Sequence, residues 1–166
     1  MFKWFALTLT LVAGAAHADT ALHTDLPLAY LEQARSESRN QPLVIFLHGF
    51  GSDEQDLFGI KDALPSTWTY LSARAPMPVA PSGYRWFTKT PGDGEYDGEP
   101  ADLQRSAGLI KDFVSQATTK YHTRSDRVFL VGFSQGAIMT YEVALRDPQL
   151  VRGIAALSGS VLPALK

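Results

Sequence analysis

Apolar residues recur along this chain with two different periods. Leu43-Val-Ile-Phe-Leu47, Val128-Phe-Leu-Val131 and Gly153-Ile-Ala-Ala-Leu157 are continuous apolar runs without a polar residue. Such runs fit strands buried on both faces, as in a parallel sheet covered by helices. Leu103, Ala107, Ile110, Val114, Ala117 and Tyr121 instead step by three or four and predict a helix over 101–121. A second helical segment follows Gly136 and stops at Asp147-Pro148. Ser52 and Gln55 have capping-box spacing, and Leu57, Ile60 and Leu64 recur behind them, which predicts a third helix from Ser52 to Pro65. The acids Asp53, Glu54 and Asp56 are assigned to its first turn, where the helix dipole favours negative charge, rather than to a metal. Thr69 to Arg74 reads as another strand, and 26–35 as an edge strand or hairpin. Strands alternating with helices imply an α/β fold: a mostly parallel sheet, helices on both faces, right-handed crossovers.

Composition narrows the picture without overturning it. The chain has 166 residues, enough for one domain, with 45% hydrophobic and 19% charged residues. A net charge of −2 and no Lys/Arg run exclude the basic footprint of a nucleic-acid binder. The absence of Cys excludes disulfides, thiolate chemistry and Cys-ligated zinc. The N-terminus is different in character. Met1-Phe2-Lys3 is a basic start, Trp4 to Gly14 is a mostly apolar run too short to span a bilayer, and Ala16-His17-Ala18 has the small-x-small cleavage pattern. We expect residues 1–18 to be a signal peptide, 19–166 the single domain, and the protein periplasmic or secreted without a stable membrane anchor.

The chemistry begins where the Val128 run meets Gly132-Phe133-Ser134-Gln135-Gly136. Strand, sharp turn and helix around G-x-S-x-G make a nucleophile elbow, which lifts a Ser hydroxyl above the sheet. The flanking glycines are expected because a Cβ at either would crowd the turn. Ligands in such sheets sit beyond the C-terminal ends of the strands. His48 to Gly51 follows another strand there, so it can face Ser134 across one crevice. The long stretch from Ala75 to Pro100 carries Tyr84, Trp86 and Phe87. These aromatics either plug the core edge or wall a substrate pocket, and Trp86 is the preferred pocket residue.

His48-Gly-Phe-Gly-Ser-Asp-Glu-Gln-Asp-Leu57, Gly83-Tyr-Arg-Trp-Phe87 and Gly132-Phe-Ser-Gln-Gly136, in that order, resemble the phospholipase/carboxylesterase family of α/β-hydrolases, which includes acyl-protein thioesterases. The resemblance implies a serine hydrolase that cleaves small-molecule carboxylic esters or thioesters through an acyl-Ser134 intermediate, without metal or organic cofactor. It implies an oxyanion hole made by the N–H groups of Phe50 and Gln135, with Trp86 near the acyl pocket. Thr88 stands where the family has an acid after its Trp-Phe pair.

The resemblance also implies two more strands after Leu157, bearing a triad acid and then a His. No His follows Ser134, and the acids there, Glu142 and Asp147, belong to the helix after the elbow and its end. Of the other histidines, His17 leaves with the signal, His23 is near the N-terminus, His122 precedes the elbow strand at the opposite end of the sheet, and His48 resembles a brace of the oxyanion loop. The sequence thus reads as a C-terminally incomplete hydrolase domain with its last strands lacking. Two outcomes are open: a serine esterase whose general base is not in this stretch, or a non-catalytic domain that binds acyl ligands or a partner. An uncovered sheet edge at Gly153–Leu157 also predicts self-association.

Overall fold

The computed structural model describes residues 17–35, 40–90 and 97–163. Among the described residues it has ten strands and two α-helices. Strands β1 (His17–His23), β2 (Tyr30–Ala34), β3 (Leu43–Leu47) and β4 (Thr69–Ala73) come first. Two small hairpins follow, β5 (Met77–Pro78) with β6 (Tyr84–Arg85) and β7 (Lys89–Thr90) with β8 (Asp97–Gly98). Then come α1 (Pro100–Lys120), β9 (Val128–Phe133), α2 (Gln135–Arg146) and β10 (Gly153–Leu157).

The main sheet has the order β1-β2-β4-β3-β9-β10. β4, β3, β9 and β10 are parallel, while β2 joins β4 and β1 joins β2 antiparallel. This is the α/β architecture the periodicities predict. The 26–35 stretch resolves into β2, an inner strand, with β1 outside it. Residues 1–16 of the expected signal peptide lie outside the described residues, and β1 begins at His17.

Alternation in the strands divides the core in two. Leu43, Ile45, Leu47, Leu71 and Leu130 pack with Ile110, Phe113 and Val114 of α1 and Ile138, Met139 and Val143 of α2. Val44, Phe46 and Tyr70 face the other way and meet Phe58, Leu57 and Leu64. α1 starts at Pro100 and runs through the predicted stripe, in which Leu103, Ile110, Val114, Ala117 and Tyr121 are buried.

Two expectations fail here. The predicted helix from Ser52 to Pro65 is only a 3-10 helix, Phe58–Ala63. The Asp53 carboxylate accepts the Gln55 N–H at 2.9 Å, and Ser52 bridges to Tyr84, so no α-helical first turn and no capping box form. Glu54 does not serve a helix dipole either; it is buried and paired with Arg74 at 2.6 Å. The second failure concerns only the coverage of β10, whose apolar run reads as buried on both faces although its place at a sheet edge is as expected. Its Ile154 is 36% and its Leu157 47% exposed, because β10 lies at the edge of the sheet among the described residues.

Candidate active site

The elbow forms as its glycines require. Ser134 has φ 51° and ψ −113°, a left-handed-side conformation that a non-glycine residue adopts at a cost and that surrounding structure must hold. Its N–H donates to Leu157 O at 2.8 Å and its carbonyl accepts the Ile138 N–H at 3.1 Å, so β10 and α2 grip the turn from both sides. A Cβ on Gly136 would stand 2.0 Å from Leu47 O, and one on Gly132 would stand 2.4 Å from Gly136 O. Only glycines let α2 leave the sheet this steeply.

β3 and β9 are parallel neighbours with Leu47 in register with Gly132, so both strands end at the same level. The loop after β3 therefore reaches the elbow. A Cβ on Gly49 would lie 3.5 Å from Ser134 Cβ and 3.2 Å from Phe133 Cδ1. Phe50 and Phe133 are both exposed, and Ser134 is half-buried. The Phe50 N–H makes no hydrogen bond among the described residues. Gln135 is the first residue of α2, where backbone N–H groups point away from the helix body and the dipole favours negative charge.

Four side chains lock this arrangement from beneath. Gln135 is fully buried; its Oε1 accepts the Trp86 N–H and its Nε2 donates to Phe87 O, both at 2.8 Å. Trp86 Nε1 donates to His48 O at 2.9 Å, and Ser106 Oγ donates to Trp86 O. His48 is buried as well. Its Nε2 accepts the Ala75 N–H at 3.0 Å, so its Nδ1 carries the proton and donates to Gly49 O at 2.7 Å. Burial lowers the His48 pKa and keeps the ring neutral. Both ring nitrogens are occupied, which removes His48 as a base and makes it a brace for the loop.

Trp86 is fully buried, tilted against His48 at 5.7 Å between ring centroids, and belongs to the main core. Of its two expected roles, core plug and pocket wall, this position fits the first. A cavity of about 520 Å³ does exist, but between α1 and α2, lined by Leu103, Ala107, Lys111, Val143, Arg146 and Leu162. It touches neither Ser134 nor Phe50.

The family model for Phospholipase/Carboxylesterase matches residues 29–166. The chain belongs to the phospholipase/carboxylesterase family. A solved carboxylesterase from Mesorhizobium loti superposes with a TM-score of 0.68 at 24% identity, covering 87% of this chain and 68% of that one, a likeness of fold. The Bacillus subtilis (strain 168) protein named "Putative hydrolase MhqD" is 26% identical over 67% of this chain and 54% of its own length. The rice protein (Oryza sativa subsp. japonica) named "Probable inactive carboxylesterase Os04g0669700" is 25% identical over 78% of this chain and 57% of its own. The chain thus spans about half the length of these curated relatives.

A phospholipase/carboxylesterase needs a base for its serine. Among the described residues no His, Asp or Glu hydrogen-bonds the Ser134 hydroxyl. Glu142 pairs with Arg146 on α2, and Asp147 pairs with Lys111 at 3.0 Å. His122 is exposed before the start of β9, and His23 stacks on Tyr30, four strand positions from β9. At about 4.8 Å per strand for His23, and about 3.3 Å per residue along β9 for His122, neither reaches the elbow. The Thr88 departure has a local answer: Thr88 N–H and Oγ1 both donate to Asp102 of α1, at 3.0 and 2.6 Å, so an acid reaches that place from another element. The Gln135 side chain and the Glu54–Arg74 pair were missed as site supports. The polar type of Gln135, one residue past the nucleophile in an apolar segment, was the available signal for the first.

Proposed function

We propose that this chain carries the acylation side of a serine carboxylesterase site. The observation behind it is the approach of the Gly49–Phe50 loop to Ser134 across the ends of β3 and β9. In this reading Ser134 Oγ bonds to the carbonyl carbon of an ester or thioester. The carbonyl oxygen gains negative charge, which the Phe50 and Gln135 N–H groups stabilise; one such donor is typically worth about 3 kcal/mol of barrier. The bond to the alcohol or thiol then breaks, the serine proton leaves through solvent to that group, and water later hydrolyses the acyl-serine. The exposed Phe50 and Phe133 favour uncharged, apolar acyl groups. With no base at Ser134 among the described residues, the rate expected of this stretch by itself is the residue left to oxyanion stabilisation and binding, about 10³–10⁴-fold over water in serine hydrolases stripped of their triad.

The test is intact-mass detection of an acyl adduct during incubation with p-nitrophenyl butyrate. The adduct should map to Ser134 and vanish in Ser134→Ala. A wild-type chain that never acquires an adduct sinks the proposal. That result would favour the second reading, a non-catalytic hydrolase domain that binds acyl ligands or a partner. Two observations support this alternative: the absence of a described base at Ser134, and the rice relative's name, which describes that protein as inactive.

Two expectations about the rest of the molecule are carried as proposals. The exposed outer edge of β10 pairs with a second copy of the chain. Residues 1–18 direct export to the periplasm or medium and are then removed. Removal would take His17 and Ala18 from β1, leaving Asp19 opposite Glu32 and His23 opposite Tyr30 to hold the hairpin. N-terminal sequencing of exported protein should start at Asp19; an intact Met1 end on exported protein would refute it.

A further inference from the structure

We propose that Glu54, Arg74 and Tyr84 form a clamp that positions the Phe50–Gly51 turn against Ser134. The proposal rests on the reading of Phe50 N–H as an oxyanion donor. It starts from a buried acid that the sequence assigns to a helix's first turn. The Glu54 side chain is 4% exposed. Its two oxygens accept from Arg74 Nε and Nη2, each at 2.6 Å, the planar fork-to-fork pairing that fixes direction as well as distance. Burial is the strongest single influence on Glu54 and would raise its pKa, but the Arg74 hydrogen bonds, a backbone hydrogen bond and the Arg74 charge together hold it below the ordinary value.

The fork continues into Tyr84. Arg74 Nη1 donates to the Tyr84 hydroxyl at 3.1 Å, and the guanidinium lies 4.6 Å from the centre of the Tyr84 ring. Tyr84 then holds the loop by its backbone. Its carbonyl accepts the Gly51 N–H and its N–H donates to Ser52 O, both at 2.8 Å. Gly83, at φ +91°, permits this approach, because a Cβ there would stand 2.1 Å from Gly51 O. Arg74 itself directly follows β4 and is fixed by its N–H to Ala29 O at 2.8 Å. A path of direct contacts therefore runs from the end of β4 through Arg74 and Tyr84 to Gly51, beside Phe50.

A buried ion pair adds little net stability but selects one geometry strongly, because either partner left alone is a buried charge. That property suits a turn whose N–H must point at one place. His48 and Trp86 hold the loop at its start, through the His48 and Gly49 carbonyls; the clamp holds it after Phe50. Phe50 lies between the two anchors and is itself exposed. Glu54, Arg74 and Tyr84 touch no substrate in this arrangement and are positioning residues.

The test is amide hydrogen exchange of the full chain, resolved by 1H–15N NMR, for wild type, Glu54→Gln and Arg74→Lys, the second keeping charge but losing the fork. Gly51 should exchange at least about tenfold faster in both variants while β3 and α2 amides keep their protection. Acylation of Ser134 by p-nitrophenyl butyrate should fall by about fivefold or more in parallel, as expected when one oxyanion donor is mispositioned. Unchanged Gly51 exchange, or equal acceleration of all strands, overturns the clamp. Faster Gly51 exchange with unchanged acylation overturns its positioning role. If wild type forms no acyl-serine, the esterase reading fails separately, and the exchange pattern alone decides whether the clamp holds the turn.

Discussion

β3 and β10 are both five-residue apolar strands, and they have opposite fates. Leu43–Leu47 is buried at every position, flanked by β4 and β9 in the sheet and covered on both faces. Among the described residues Gly153–Leu157 pairs only with β9, and it has no buried position. Composition does not explain this, since neither strand has a polar residue. Burial is a property of neighbours. An apolar run says that a strand can be covered, while the sheet order and the elements packed on it decide whether it is. The two strand ends carry the candidate site between them: β3 delivers the Gly49–Phe50 loop, and β10 offers Leu157 O to the Ser134 N–H.

The contrast should appear most strongly in core truncations. Phe46→Ala in β3 should lower unfolding free energy by about 3–5 kcal/mol, the range for emptying a buried aromatic site. Ile154→Ala in β10, where the side chain is already partly in water, should cost under about 1.5 kcal/mol. Urea denaturation of both variants measures the difference, and equal losses would mean that β10 is covered in solution.

Acid should find the end of β3 next. His48 is held neutral by burial, so its folded pKa lies below the ordinary 6.5. Above that value the group has no effect. As pH falls below it, the unfolded chain takes up the proton more readily, and stability declines by at most about 1.4 kcal/mol per pH unit for this one group. Denaturation midpoints between pH 7.5 and 5.5 should fall, and fall less steeply in His48→Gln. A wild-type midpoint that is flat or rising in that window contradicts the neutral brace.

The smallest effect on stability, but a visible one on assembly, is expected from Ala155→Lys. A charge at an exposed strand position should change stability by no more than about 0.5 kcal/mol while blocking edge-to-edge pairing. Light scattering after size exclusion should report a dimer for wild type and a monomer for the variant. A monomeric wild type would end the self-association proposal.

Local sequence was enough for the elements that depend on local physics. The stripe from Leu103 to Tyr121 specified α1, and the apolar runs specified β3, β9 and β10, because a period of 3.6 or a continuous run is a property of the segment itself. The Gly132 and Gly136 spacing specified the elbow for the same reason. The residues from Ser52 to Pro65 misled, because their charges answer to distant partners: Glu54 turns to Arg74, twenty residues away, and Ser52 to Tyr84. Trp86 was equally illegible, since a large aromatic in a long loop suits a core or a pocket, and the hydrogen bonds to His48 and Gln135 are what separate them. What the sequence determined alone is the α/β class and the presented serine. What the tertiary structure decided is which polar groups support that serine and how far each apolar strand is covered among the described residues. Those outcomes rest on contacts between segments far apart in the chain, and no local pattern encodes them.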